Sequence, residues 1–158
     1  LKALVDMRNA AAGEGAEDAG APTLRLSIEG RGPFVVDGIE SRLVRVFDNL
    51  FDNALTFSPS GGIIECRLSR GKEAGVPCLW IAIEDQGPGI PEGAERAIFD
   101  RFYSERPEGE KFGVHSGLGL SISHQIVTAH DGTLRAENIL DGKGKAKGAR
   151  LLVCLPAA

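Results

Sequence analysis

The chain has 158 residues, 42% hydrophobic and 25% charged, the length and composition of one globular domain able to bury its own core. With 22 acidic against 18 basic residues the net charge is −4, which argues against a dedicated nucleic-acid binder. Cys66, Cys78 and Cys154 are scattered and form no CxxC, so they argue against a disulfide framework or zinc site and read as buried thiols. No apolar run approaches the ~18 residues that span a bilayer.

Residues 1–12, LKALVDMRNAAA, read as a helix end. The chain starts at Leu1 rather than Met, so the expectation is a piece of something longer. Residues 1–23 are then the end of an upstream helix plus a flexible linker, and 24–158 the folded domain. The linker chemistry lies in GEGAEDAGAP, residues 13–22, which is small, acidic and Gly/Pro-rich. TLRLSIEG, 23–30, alternates apolar and polar residues and predicts a strand. Gly32-Pro33 breaks it, and FVVD, 34–37, predicts a short second strand.

From Ile39 to Phe57, Leu43, Val46, Phe47, Leu50 and Ala54 recur at spacings of three and four, predicting a helix with Ser41 as its N-cap. IIECRLSR (63–70) and PCLWIAIED (77–85) predict strands, QGPGIPEG (86–93) a loop, and Glu95–Phe102 a short helix. Residues 103–117 are charged, contain Gly and Pro, and predict a long mobile loop, of a kind that is either functional or disordered. Leu118–His130 predicts a helix stopped by Asp131-Gly132, and TLRAENIL (133–140) and ARLLVCLP (149–156) the last two strands. Strands come in neighbouring pairs and alternating βαβ winding is absent. The expected class is an α/β two-layer sandwich, with a mixed, mainly antiparallel sheet and about three helices on one face.

Four segments carry candidate chemistry. Asn49 and Asn53 are four apart and share a helix face; they are either a polar face or a hard amide-oxygen ligand for Mg²⁺. Asp85-Gln86-Gly87-Pro88-Gly89-Ile90 follows a strand directly. It is either an ordinary Asp/Gly turn or a carboxylate acceptor beside permissive backbone, suited to an exocyclic amine such as adenine's. HSGLGLSI (115–122) opens a helix with small residues. It is either a flexible helix start or a phosphate site of backbone N–H groups, and it is neither a Walker A loop nor a Rossmann fingerprint. IFDRFY (98–103) reads as core aromatics, with Arg101 the natural phosphate partner.

Taken in chain order, the segments resemble the N, G1, F and G2 boxes of one family. VRVFDNLFDNALTFSPSGG (44–62), IEDQGPGIP (83–91), IFDRFY (98–103) and HSGLGLSISHQIVTAHDGTLRAEN (115–138) closely resemble the ATP-binding catalytic domain of sensor histidine kinases. That domain belongs to the superfamily shared with gyrase, Hsp90 and MutL. The resemblance covers about residues 24–157, and HSGLGLSIS and DNALTFSP are similar to the ChvG/ExoS type.

The resemblance implies the Bergerat fold, binding of ATP or ADP with Mg²⁺, and a set of roles. Asn53 would coordinate Mg²⁺, supported by Asn49 one turn earlier. Phe57 would line the adenine pocket, Asp85 accept from the adenine amine, Gly87 and Gly89 admit the base, and Ile90 cover it. Arg101 would reach the phosphates and Phe102 anchor a lid of residues 103–116. Ser116, Gly117, Leu118, Gly119 and Leu120 would wrap the phosphates.

Two positions depart from the family. Thr56 stands where many members carry Lys or Arg, leaving Arg101, Arg106 or Lys111 to replace that contact, and Asp131-Gly132 replaces Gly-Gly. The ATPase branches carry a water-activating Glu where this chain has Asn49, and an amide is no base near neutral pH. Phosphoryl transfer is therefore expected over hydrolysis. His115, His124 and His130 lack the family's acceptor context. The implied partners are a separate dimerisation-phosphoacceptor domain and a response regulator, with no nucleic acid and no direct membrane contact by this stretch. The implied location is the cytoplasmic part of an inner-membrane sensor. The rival readings are an ATPase of the gyrase/Hsp90/MutL branch and a degenerate, nucleotide-free interaction module.

Overall fold

The computed structural model describes residues 1–14, 20–103 and 117–158. In chain order these form α1 (Lys2–Glu14), β1 (Thr23–Glu29), α2 (Glu40–Phe57), β2 (Ile63–Glu73), β3 (Val76–Glu84), a 3-10 turn (Ala97–Phe99), α3 (Gly119–Thr128), β4 (Thr133–Leu140) and β5 (Ala146–Pro156). The strands make one sheet in the order β1-β2-β3-β5-β4. β1 and β2 are parallel and every other pairing is antiparallel.

Alternation sorts the two sheet faces. Ile64, Cys66 and Leu68 of β2, Leu79, Ile81 and Ile83 of β3, and Leu151, Val153 and Leu155 of β5 are buried on the inner face. α2 covers them with Val46, Phe47, Leu50, Phe51 and Ala54, spaced for one helical stripe. Val127 of α3 and Val5 of α1 join the same core, so all three helices lie on one side.

The outer face explains why no third layer covers it among the described residues. Arg25, Glu65, Glu84, Arg150 and Glu137 stand in register across the whole sheet. They pair as Arg25–Glu65 (3.0 Å), Arg150–Glu84 (2.7 Å) and Arg150–Glu137 (2.6 Å). A row of charges is stable against water and costly against a second apolar layer. All three cysteines are free and buried, as expected.

Four expectations are corrected. FVVD (34–37) joins no strand. Pro33 has no N–H for a ladder, and Phe34 and Val36 instead lie against the core. The segment is held by Ala158 N–H to Val35 O (2.9 Å) and Arg70 to Pro33 O (2.6 Å). β1 consequently pairs with β2 across α2, making one βαβ unit where none was expected. The α2 N-cap is Ile39, without a side-chain cap, and Ser41 lies inside the first turn. The Glu95–Phe102 helix shrinks to the 3-10 turn, because Phe102 has φ 64 and cannot continue a right-handed helix.

α1 is docked, not free. Arg8 bonds Asp48 (2.7 Å) and Asp52 of α2, and Asn9 grips both backbone groups of Leu24 in β1 (2.8 and 3.0 Å). Of the expected linker, residues 15–19 lie outside the described residues.

Candidate functional site

The C-terminal half of α2, the start of α3 and the loop after β3 bring the candidate residues together. Asn49 donates from Nδ2 to Gly119 O and to Ser123 Oγ, both at 3.2 Å. Ser123 is fully buried and needs that partner. Asn49 thus ties α2 to the first turns of α3 and puts the helix start against the N box. One turn on, Asn53 is half-buried and hydrogen-bonds no described residue. Its oxygen is a hard donor suited to Mg²⁺, which keeps few protein ligands and takes the rest from phosphate and water. The residues present therefore fit a Mg²⁺–nucleotide. Thr56 cannot serve the phosphates, because its hydroxyl donates to Asp52 O at 2.8 Å.

Asp85 follows the last residue of β3 and is buried. Its Oδ1 accepts the N–H of Gly87 (2.8 Å) and of Ala149 (3.2 Å). Its own N–H bonds Ala149 O at 3.0 Å. Among the described residues Oδ2 has no partner, so a fixed carboxylate keeps one acceptor open. Burial pushes its carboxyl above the ordinary value, and the N–H groups of Gly87 and Ala149 pull it partly back.

The loop glycines have physical reasons. A Cβ at Gly87 would sit 2.5 Å from Phe57 O, so the loop lies directly on the end of α2 beside Phe57. Gly89 has φ 85 and leaves no room for a side chain, a Cβ there being 2.6 Å from Asn138 Oδ1. Gln86 Oε1 accepts the N–H of Ile63 (2.9 Å) and pins the loop to β2. Asn138, inside β4, bonds both Ile90 N–H (2.6 Å) and Ile90 O (2.8 Å).

At the phosphate end, Gly119 and Leu120 open α3, and no side chain caps the helix. Its first N–H groups therefore lack intrahelical acceptors and point at whatever sits there. Ser121 is spent on Leu118 O at 2.9 Å, and the Leu120 side chain packs on the core. Gly117 has φ 69, and its carbonyl accepts the N–H of Phe102 at 3.2 Å. The two ends of the expected lid are thus joined. Phe102 contributes its backbone there, while its side chain is 74% exposed. Arg101 is exposed and pairs with no described residue. Residues 104–116, including Ser116, Arg106, Lys111 and His115, lie outside the described residues.

Two of the histidines have structural positions. The His124 ring lies 5.4 Å from that of Phe99. His130 accepts the Ile39 N–H at Nε2 (3.1 Å) and donates from Nδ1 to Ile126 O (2.7 Å), joining the end of α3 to the start of α2. Sequence reading missed Ser123, Ala149 and Asn138. The last had a visible signal, an amide in a strand at the spacing of inward-facing Leu134 and Ala136. Among the described residues no helix is long and apolar enough to cross a membrane, and no group of three His, Cys, Asp or Glu could hold a metal.

Known proteins resemble this chain in sequence and fold. The model of the histidine kinase-, DNA gyrase B-, and HSP90-like ATPase family matches residues 38–158. Sensor protein ChvG of Rhizobium meliloti (strain 1021) is 49% identical over 128 residues, covering 80% of this chain and 22% of that protein. The chain thus spans about a fifth of that relative. The mycobacterial sensor histidine kinase MprB superposes with a TM-score of 0.74 at 29% identity, covering 98% of this chain and 93% of that one. Full-length ShkA in complex with AMPPNP shares the fold, with a TM-score of 0.71 at 20% identity over 99% of this chain and 29% of that one. The chain belongs to the histidine kinase-, DNA gyrase B- and HSP90-like ATPase family, and within it to the catalytic domains of sensor histidine kinases.

Proposed function

We propose that this chain binds Mg-ATP and donates the γ-phosphoryl to a histidine on a separate dimerisation domain of its parent protein. Residues 24–158 are the catalytic unit, and 1–23 are the end of the upstream helix with its linker. The observation that carries the reading is the division of labour between two asparagines on one face of α2. Asn49 is engaged with Gly119 and Ser123, while the Asn53 amide bonds no described residue. In an ATPase the earlier position supplies a base; an amide already bonded to α3 activates no water. Hydrolysis is therefore slow, and the bound nucleotide waits for an acceptor brought to it.

The chain's own residues then act by positioning. Asp85 accepts from the adenine amine through Oδ2 and selects adenine over guanine, which presents a carbonyl there. Ile90 and Phe57 border the base. The uncapped start of α3 receives the phosphates, and Arg101 reaches them. Bound through Asn53, Mg²⁺ supplies neutralisation of the phosphate charge. The parent is a sensor kinase whose cytoplasmic part this is, and its acceptor histidine passes the phosphoryl to a response regulator. The ShkA–AMPPNP complex supports nucleotide binding by this fold.

The test is radiolabelled ATP with this chain alone, with the parent's dimerisation fragment alone, and with both. Acid-labile label on the dimerisation fragment only in the mixture is the expected result. Brisk phosphate release by the chain alone would move the assignment to the ATPase branch. No label in any tube would favour a degenerate module.

A further inference from the structure

We infer that Asn138 is a positioning residue for base recognition, holding the loop 85–90 in the shape that lets Asp85 and Ile90 meet one adenine ring. The inference rests on the reading of Asp85 as the adenine acceptor. Asn138 bonds the N–H and the C=O of Ile90 at 2.6 and 2.8 Å, the two bonds a neighbouring strand would make. Ile90 pairs with no strand among the described residues, so one side chain replaces a ladder.

The other end of the loop is held at the same place. Asn138 and Ala149 are register partners in β4 and β5. Ala149 bonds Asp85 twice, N–H to Oδ1 at 3.2 Å and O from the Asp85 N–H at 3.0 Å. One pair of facing residues therefore fixes both the acceptor and the apolar cover of the base. Between them lie Gly87 and Gly89, which resist rotation little. Gly89 sits so close to Asn138 that the amide oxygen shapes the backbone there. An amide at an inward strand position is costly unless bonded, and Asn138 spends Oδ1 and Nδ2 on Ile90. Without it, the Asp85 end of the loop remains anchored to β5 while the Ile90 end is released.

The prediction is specific to the base. In the full 158-residue chain, Asn138→Ala should weaken ADP by about tenfold, the scale of one net hydrogen bond, and leave GDP nearly unchanged. Binding of Mg-tripolyphosphate, which has no base, should be unchanged. Amide exchange at Ile90 should accelerate. Asn138→Asp keeps an acceptor for the Ile90 N–H and should retain that protection with part of the ADP preference. An ADP:GDP ratio in Asn138→Ala equal to that of the wild type overturns the inference. So does an equal loss of ADP and tripolyphosphate binding, the mark of a merely structural role. If the wild-type chain itself shows no ADP preference, the Asp85 reading fails and takes this one with it; a wild-type preference that survives the substitution defeats this inference alone.

Discussion

Asp85→Asn is the sharpest perturbation of the base site, because it changes one atom and inverts one hydrogen bond. The carboxylate uses Oδ1 for the N–H groups of Gly87 and Ala149 and has no partner for Oδ2 among the described residues. In the variant the amide oxygen keeps the first two bonds, which leaves the NH₂ in the place of Oδ2. A donor then faces the adenine amine, itself a donor. Losing a hydrogen bond to a charged acceptor costs about 1.5–3 kcal/mol, so ADP should bind about 10- to 150-fold more weakly. GDP should bind more tightly, since guanine offers a carbonyl at that position. The fold should survive. Burial raises the Asp85 pKa, so the charged form is the one the folded state disfavours. The wild type therefore loses stability as pH rises from the ordinary value of 3.8 through the raised folded value. A neutral amide escapes that loss, and the Tm at neutral pH should equal or exceed the wild type's. Calorimetric titration with ADP and GDP, beside a thermal melt, measures all of this. A variant that binds ADP within about threefold of wild type, with its ADP:GDP ratio intact, refutes the assignment.

Asn53→Ala should abolish the Mg²⁺-dependent part of ADP affinity and leave the Mg²⁺-free part alone; titrations with and without the metal decide it. ADP affinity should fall as pH drops through the raised Asp85 pKa, beginning above 3.8, and the Asp85→Asn variant should show no such decline. Gly148→Ala should destabilise by about 1–3 kcal/mol in denaturant melts, because a methyl there collides with the Asp85 carbonyl oxygen. Gly142→Ala, with nothing within 4 Å, should be neutral or stabilise by up to about 1 kcal/mol. Arg8→Ala should cost about 1 kcal/mol at low salt, and less at high salt, since its partners Asp48 and Asp52 are partly exposed.

What was legible in the sequence was whatever is written locally. The stripe from Val46 to Ala54, the alternation of Ile64, Cys66 and Leu68, and the glycines after Asp85 each lie within a few residues, and each marks its element or loop correctly. FVVD misled because alternation and burial look alike from sequence: Phe34 and Val36 do face the core, but beside Pro33 they do so without a ladder. Ser41 misled because a serine before an apolar stripe caps a helix only if the chain turns there, and it turns at Ile39, held by His130. The ties that shape the site are long in sequence: 48 residues from Asn138 to Ile90, 64 from Asp85 to Ala149, and 74 from Asn49 to Ser123. Periodicity states which face a residue occupies and is silent about which residue it meets.

α2 shows why the N box is dense with information. Successive helical residues are rotated by about 100°, so neighbouring i, i+4 pairs read different surroundings. Val46, Leu50 and Ala54 enter the core. Asp48 and Asp52 hold Arg8 of α1. Asn49 meets α3, and Asn53 stays uncommitted one turn below it. A shift of one residue that brought the acids to the start of α3, where the phosphates are expected, would drive the amides into the core where Leu50 and Ala54 stand. The motif therefore fixes the helix rotation and the site chemistry together. That is why Thr56, whose hydroxyl is spent on Asp52 O, can stand in place of a basic residue without disturbing the frame.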